Sequence, residues 1–141
     1  MSFVFDASSI FEAMLHGKVR VLSGNYTVDL ARYELGNVLW KRRVLLGDLS
    51  EEKCVRLVNL VKRVLGLMKV VDVECREREV LQLAGELGIT FYDASYVHAS
   101  YTMNLPLVTE DDALKEKVEG LVEVLSVSDV VEARGLRGPF K

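Results

Sequence analysis

A chain of 141 residues, half of them hydrophobic and 28% charged, has the length and composition of one globular domain with a single sizeable core. No uncharged apolar run approaches the ~18 residues of a membrane helix. The net charge of −3 argues against tight non-specific binding to nucleic acid. The start Met1-Ser2-Phe3-Val4-Phe5-Asp6 lacks the basic stretch of a signal peptide, so a cytoplasmic protein is expected.

The elements alternate along the chain. Residues 2–6 read as a buried strand and 8–16 as a short helix with Ile10, Met14 and Phe11 facing inward. Tyr26-Thr27-Val28 is a short strand. Asp29 is the expected N-cap of a long helix that runs to about residue 46 and is stopped by Gly47. Ser50 caps the next helix, in which Cys54, Leu57, Val58, Val61, Val64 and Leu65 keep helical spacing. Lys69 to Val73 is a strand. Residues 75–87 form a helix with Val80, Leu81, Ala84 and Leu87 inside, and Gly88 follows it. A helix over 93–103, a strand over 106–109, a short helix over 111–118 and a strand over 122–127 complete the pattern. This alternation predicts an α/β fold with a parallel sheet and helices on both faces. Neither GxGxxG nor a P-loop is present. Cys54 and Cys75 have no close metal-ligand spacing and read as free thiols, a disulfide between them being the alternative.

Acids mark the strand ends. Asp6 follows the run Phe3-Val4-Phe5, and Asp111 follows Leu105-Pro106-Leu107-Val108-Thr109. In open α/β sheets ligands bind outside the carboxyl ends of the strands. Glu34 lies on a mostly apolar helical stripe with Leu30, Ala31 and Val38, where a carboxylate must be paired or hold something. Asp93 opens a helix. Each acid also has a plain structural reading: helix caps for Asp6, Asp93 and Asp111, and an ion pair with Arg32 or Arg20 for Glu34. Convergent carboxylates raise one another's pKa or bind a cation, and an all-oxygen set suits Mg²⁺ or Mn²⁺.

Four segments, in order, resemble the acidic motifs of the PIN (PilT N-terminus) domain family. They are Val4-Phe5-Asp6-Ala7-Ser8-Ser9, Tyr33-Glu34-Leu35-Gly36-Asn37-Val38-Leu39, Tyr92-Asp93-Ala94-Ser95-Tyr96 and Leu107-Val108-Thr109-Glu110-Asp111. The resemblance extends to about residue 132 and is strongest to the VapC-type toxin branch. It implies a three-layer fold whose central parallel sheet has about five strands in the order 3-2-1-4-5. It also implies an endoribonuclease dependent on Mg²⁺ or Mn²⁺, in which Asp6, Glu34, Asp93 and Asp111 hold the metal and carry catalysis. Ser8 or Ser9, Thr109 and Asn37 would steady carboxylates or waters around it. In the run Glu110-Asp111-Asp112 the Thr-x-Asp spacing selects Asp111, with Asp112 acting through water or as a cap. The implied partners are an RNA substrate, an antitoxin protein that brings an Arg or aromatic segment to the acids, and a second copy of the chain, with Trp40 at the dimer contact. The implied nuclease domain covers residues 1–134, followed by a loosely ordered tail over 135–141.

Other features are read from the residues alone. Lys41-Arg42-Arg43 is either a phosphate-contacting cluster or a solvated helix end favoured by the macrodipole. Among Tyr92, Tyr96 and Tyr101, stacking on a base competes with core packing. His16 and His98 read as a helix-end cation and a surface or core histidine rather than general bases. Two other functions are open: a PIN scaffold that binds RNA or protein without cleavage, and a receiver-type phosphoacceptor domain. The receiver reading lacks an acidic pair after the first strand and a lysine after the last.

Overall fold

The computed structural model describes residues 1–135. The strands are short: β1 Val4–Phe5, β2 Tyr26–Val28, β3 Lys69–Val71, β4 Leu107–Val108 and β5 Val124–Leu125. They form one sheet in the order β3-β2-β1-β4-β5, every pair parallel, as expected from the alternation and the motif order. β1 is central, flanked on one side by β2 (Val4 opposite Tyr26) and on the other by β4 (Val4 opposite Leu107, Phe5 opposite Val108). Val4, Phe5, Leu107 and Val108 are fully buried, which explains why these strands read as continuous apolar runs rather than alternating ones.

Seven helices cover the sheet among the described residues: α1 Ala7–Leu15, α2 Leu30–Trp40, α3 Glu51–Leu67, α4 Glu77–Leu87, α5 Phe91–Met103, α6 Asp112–Val118 and α7 Val127–Ala133. α5 buries the small residues Ser95, Ala99 and Ser100, while Ala94 packs against Val80 and Ala84 of α4. Ser100 spends its hydroxyl on the Leu105 carbonyl and Ser95 on that of Tyr92, so their burial leaves no polar atom unmatched. The buried Asn25 accepts from the Phe3 amide and donates to the Val21 carbonyl, fixing the entry to β1.

Several local expectations are corrected. The helix expected from Asp29 to about residue 46 changes character after Trp40: Lys41–Leu45 is a π-helical turn, and Gly47 follows with φ +64°. Asp29 is itself helical and its side chain caps nothing. The strand expected over 122–127 is cut to Val124–Leu125 because Ser126 starts α7, a helix that the sequence pattern did not predict. Ser126 and Asp129 cap one another's backbone reciprocally there. Leu81, expected inside, is exposed, and so is Val58, which keeps the helical spacing of α3. Gly88 ends α4 in the left-handed conformation (φ +65°), as its position implied. Cys54 and Cys75 are both free. The expected tail lies, beyond Gly135, outside the described residues.

Candidate metal centre and its surroundings

The chain leaves β1 directly into α1, and Asp6 stands at the junction. It caps α1: its Oδ1 accepts from the Ser9 amide at 2.9 Å and from the Ser8 hydroxyl at 2.7 Å. Its Oδ2 accepts from the Thr109 hydroxyl at 2.5 Å. Thr109 is the first residue after β4, so neighbouring parallel strands deliver the two groups to the same edge. Thr109 Oγ1 also accepts from the Asp111 amide at 3.1 Å. Ser8 Oγ lies 3.3 Å from the same atom and accepts from the Glu110 amide at 3.0 Å. Asp6 is only 5% exposed, and burial pushes its carboxyl above the usual carboxylate range, against four hydrogen-bond contributions that favour the charged form.

Asp6, Glu34, Asp93 and Asp111 line one cavity of about 640 Å³, together with Ser8, Asn37, Tyr33, Tyr92 and Tyr96. Glu34 arrives on α2, the helix that follows β2. Its partner is not an arginine: the Tyr96 hydroxyl donates to Glu34 Oε1 at 2.7 Å. Asp93 is not a helix cap either. Thr90 takes that role, accepting from the Asp93 amide at 3.0 Å, so Asp93 lies in the first turn of α5, where the helix dipole favours an anion. Burial raises the pKa of Glu34, and the charges of Asp93 and Asp6 add to it. Burial also raises that of Asp93, with Asp111 and Asp6 adding repulsion. The structure thus brings the anticipated acids to one cavity and within electrostatic reach of one another.

The acidic run after β4 is sorted by geometry. Glu110 Oε2 accepts from the Val127 amide at 2.8 Å and so holds the start of α7. Asp111 caps α6 through the Leu114 amide at 3.1 Å and still lines the cavity. Asp112 is exposed and lines a different depression, with Lys115, Glu116 and Glu119. Thr109 binds Asp6 directly, and Asn37 lines the cavity from one turn along α2.

The remaining candidates fall elsewhere. Lys41, Arg42 and Arg43 do not line the cavity. Arg42 grips Asp48 with a closest approach of 3.0 Å and lies 5.7 Å from the Phe11 ring centroid, while Arg43 donates to the Leu49 carbonyl at 3.2 Å. Tyr101 lines a separate hollow with Met1 and Asn104. His16 pairs with Glu12 at 3.2 Å and His98 with Glu79 at 3.3 Å. Sequence reasoning overlooked Tyr33 altogether and weighed Tyr96 only for packing or stacking. The available signal was positional: Tyr33 and Tyr92 each precede a cavity acid, and Tyr96 lies one turn beyond Asp93.

Among the described residues, no three His, Cys, Asp or Glu side chains enclose an ion directly. The donors lining the cavity are carboxylates, hydroxyls and an amide, without sulfur or imidazole. Such walls fit Mg²⁺ or Mn²⁺, since Mg²⁺ keeps several waters and takes only one or two carboxylates directly. The raised pKa values of three of the acids have the same origin as an affinity for cations: negative charge held out of water.

No family model matches the chain. Comparison with curated proteins finds the exonuclease VapC9 of Pyrobaculum aerophilum, 33% identical over 126 residues that cover 88% of this chain and 91% of that protein. The ribonuclease VapC3 of the same organism is 33% identical over 97 residues, 69% of this chain and 73% of the other. Among solved structures, the crystal structure of PAE2754 from Pyrobaculum aerophilum superposes with a TM-score of 0.79 at 28% identity, covering 97% of this chain and 91% of that one. VapBC2 from Rickettsia felis, solved bound to a DNA fragment from its promoter, shares the fold at a TM-score of 0.63 and 14% identity, with 89% and 98% of the chains covered. A parallel sheet in the order 3-2-1-4-5, four acids on one cavity, and a relative one-third identical over nearly the full length make the chain a member of the VapC branch of the PIN-domain family.

Proposed function

We propose that the protein is a ribonuclease that hydrolyses RNA phosphodiester bonds with the help of Mg²⁺ or Mn²⁺ held by Asp6, Glu34, Asp93 and Asp111. The observation that carries this reading is the arrival of four carboxylates, from four separate parts of the chain, on one cavity at the carboxyl edge of the sheet. The names of its relatives, an exonuclease and a ribonuclease, support phosphodiester chemistry. A divalent ion bound there supplies neutralisation of the phosphate charge and acidification of the attacking water. The chain's own residues do the rest. Thr109 and Ser8 fix both oxygens of Asp6, Tyr96 fixes one oxygen of Glu34, and the start of α5 favours charge on Asp93. No histidine lines the cavity, so protons leave through water and carboxylates.

The reading extends to internal cleavage, a toxin role in the cytoplasm with an antitoxin partner, and a homodimer. Family membership supports the antitoxin, which would present cationic groups to the acids. Trp40, Val44, Leu45 and Leu46 stand exposed along the end of α2 and the π-helical turn, and a second copy of the chain would cover them. Light scattering of the purified protein measures that association.

The deciding experiment incubates the pure protein with linear and closed circular RNA in Mn²⁺, Mg²⁺ or EDTA. Cleavage of both substrates that needs the metal and is lost in Asp111→Asn is expected. Circular RNA has no end, so its survival beside degraded linear RNA would reassign the enzyme as a trimming exonuclease. Cleavage that persists in EDTA, or in Asp111→Asn, would overturn the site.

A further inference from the structure

We propose that Tyr33 and Tyr92 form a pair of stacking platforms that select unpaired RNA, each taking a base beside the scissile phosphate. The inference rests on the phosphodiester site proposed above and assigns two base-binding residues to it. Tyr33 is 74% exposed and Tyr92 60% exposed, yet both line the cavity that holds the acids. Tyr33 immediately precedes Glu34 on α2, and Tyr92 immediately precedes Asp93 in the first turn of α5. Isolated exposed aromatics are ordinary on protein surfaces. Two on separate helices, each adjoining a carboxylate of the same cavity, are a paired arrangement. Among the described residues neither side chain makes a hydrogen bond or ring contact, and Tyr92 also borders a small hollow with Val28, Leu30 and Val73. Tyr96, by contrast, is buried with its hydroxyl on Glu34, and Tyr101 lies on another hollow.

The chemistry of the rings defines the ligand. Carboxylates and a cation position a phosphate without regard to base. An exposed tyrosine face accepts any base whose own face is free, and such stacking tolerates sequence. Bases inside an A-form duplex are stacked on one another and offer only their edges. Lys41, Arg42 and Arg43 do not line the cavity; Arg42 pairs with Asp48 and Arg43 donates to the Leu49 carbonyl. Ring stacking is the base contact that the two tyrosines offer at the rim, and it favours single strands.

The test is fluorescence anisotropy in Mn²⁺ with an Asp111→Asn parent, using a labelled unstructured RNA of about twelve nucleotides and a blunt-ended RNA duplex without loops. Tyr33→Ala and Tyr92→Ala should each weaken binding of the single strand by roughly 5- to 100-fold. Tyr33→Phe and Tyr92→Phe, which keep the rings, should bind within about twofold of the parent, and the duplex should be bound alike by all variants. Alanine variants that bind the single strand as tightly as the parent would overturn the proposal and leave the rings to a protein partner. Parallel loss of duplex binding would overturn it too, by showing a general electrostatic or folding effect. Failure of the nuclease reading registers separately, as wild-type protein that leaves the single strand uncut in Mn²⁺ while the comparison among tyrosine variants still stands.

Discussion

The Tyr96 hydroxyl donates to Glu34 Oε1 over 2.7 Å, joining α5 to α2 across 62 positions of sequence. Tyr96 is 1% exposed and lines the cavity. Its own ionisation is pushed far upward by burial and by the neighbouring Glu34 charge, so it stays a donor across the accessible pH range. Tyr96→Phe keeps the packing and frees the carboxylate to rotate. Mn²⁺ affinity, read by titration calorimetry, should fall roughly 10-fold or more. Stability in EDTA should change by only about 1 kcal/mol. Unchanged affinity would show that Glu34 is held by other means.

Asp111 and Asp112 are adjacent but face different surroundings. Asp111→Asn should lower the cleavage rate by roughly 10²–10³-fold, in the range for loss of one electrostatic group at a reacting centre. Asp112→Asn should stay near wild type. Initial rates at saturating Mn²⁺ decide this, and equal losses would place both acids in the chemistry.

Removing charge at Asp93 and at Asp6 should affect the metal-free fold differently. Asp93 is partly exposed and repelled by Asp111 and Asp6, so Asp93→Asn should stabilise the protein in EDTA at neutral pH. A carboxyl whose folded pKa is raised disfavours folding once it ionises. The advantage of the asparagine should therefore shrink as pH falls through that raised value toward the ordinary carboxylate range, where wild type is protonated as well. Asp6→Asn keeps one oxygen for Ser8 and Ser9 but turns a donor NH2 toward the Thr109 hydroxyl, and should cost about 1–3 kcal/mol. Melts in EDTA across that pH interval test both signs, and a destabilised Asp93→Asn would mean that the side chain is structural.

Cation binding should appear in stability without any substrate. A hundredfold excess of Mn²⁺ over its dissociation constant should add about 2.7 kcal/mol. The melting temperature should rise accordingly, and EDTA should reverse the rise. A flat response in wild type, at concentrations that support cleavage, would separate the ion from these acids.

The sheet was legible because Val4-Phe5 and Leu107-Val108 are buried on both faces, and such strands read as unbroken apolar runs closed by an acid. The same rule misled at residues 122–127, where apolar valines hid the reciprocal cap of Ser126 and Asp129 that starts α7. The acids showed in sequence because strand ends deliver them. Their caps were partly misread: Thr90, not Asp93, starts α5, because the Thr90 hydroxyl accepts from the Asp93 amide and the helix begins almost a turn earlier. The partner of Glu34 was not readable, because a tyrosine between Ser95 and Val97 looks like core until α2 is packed beside it. The pairing of Arg42 with Asp48, six residues on and beyond the π-helical turn, was likewise not readable from the sequence.

The hydroxyl of Thr109 gathers Asp6, Ser8 and the Asp111 amide around one atom. Asp6 and Ser8 lie in the first eight residues, and Thr109 comes 103 positions after Asp6. In a growing chain Ser8 and Ser9 can reach one oxygen of Asp6 at once, but the other gains its Thr109 partner only when β4 has been made and has settled against β1 in its correct register. Unfinished or mispaired chains therefore lack a working centre, and in refolding the recovery of cleavage should trail the appearance of helix.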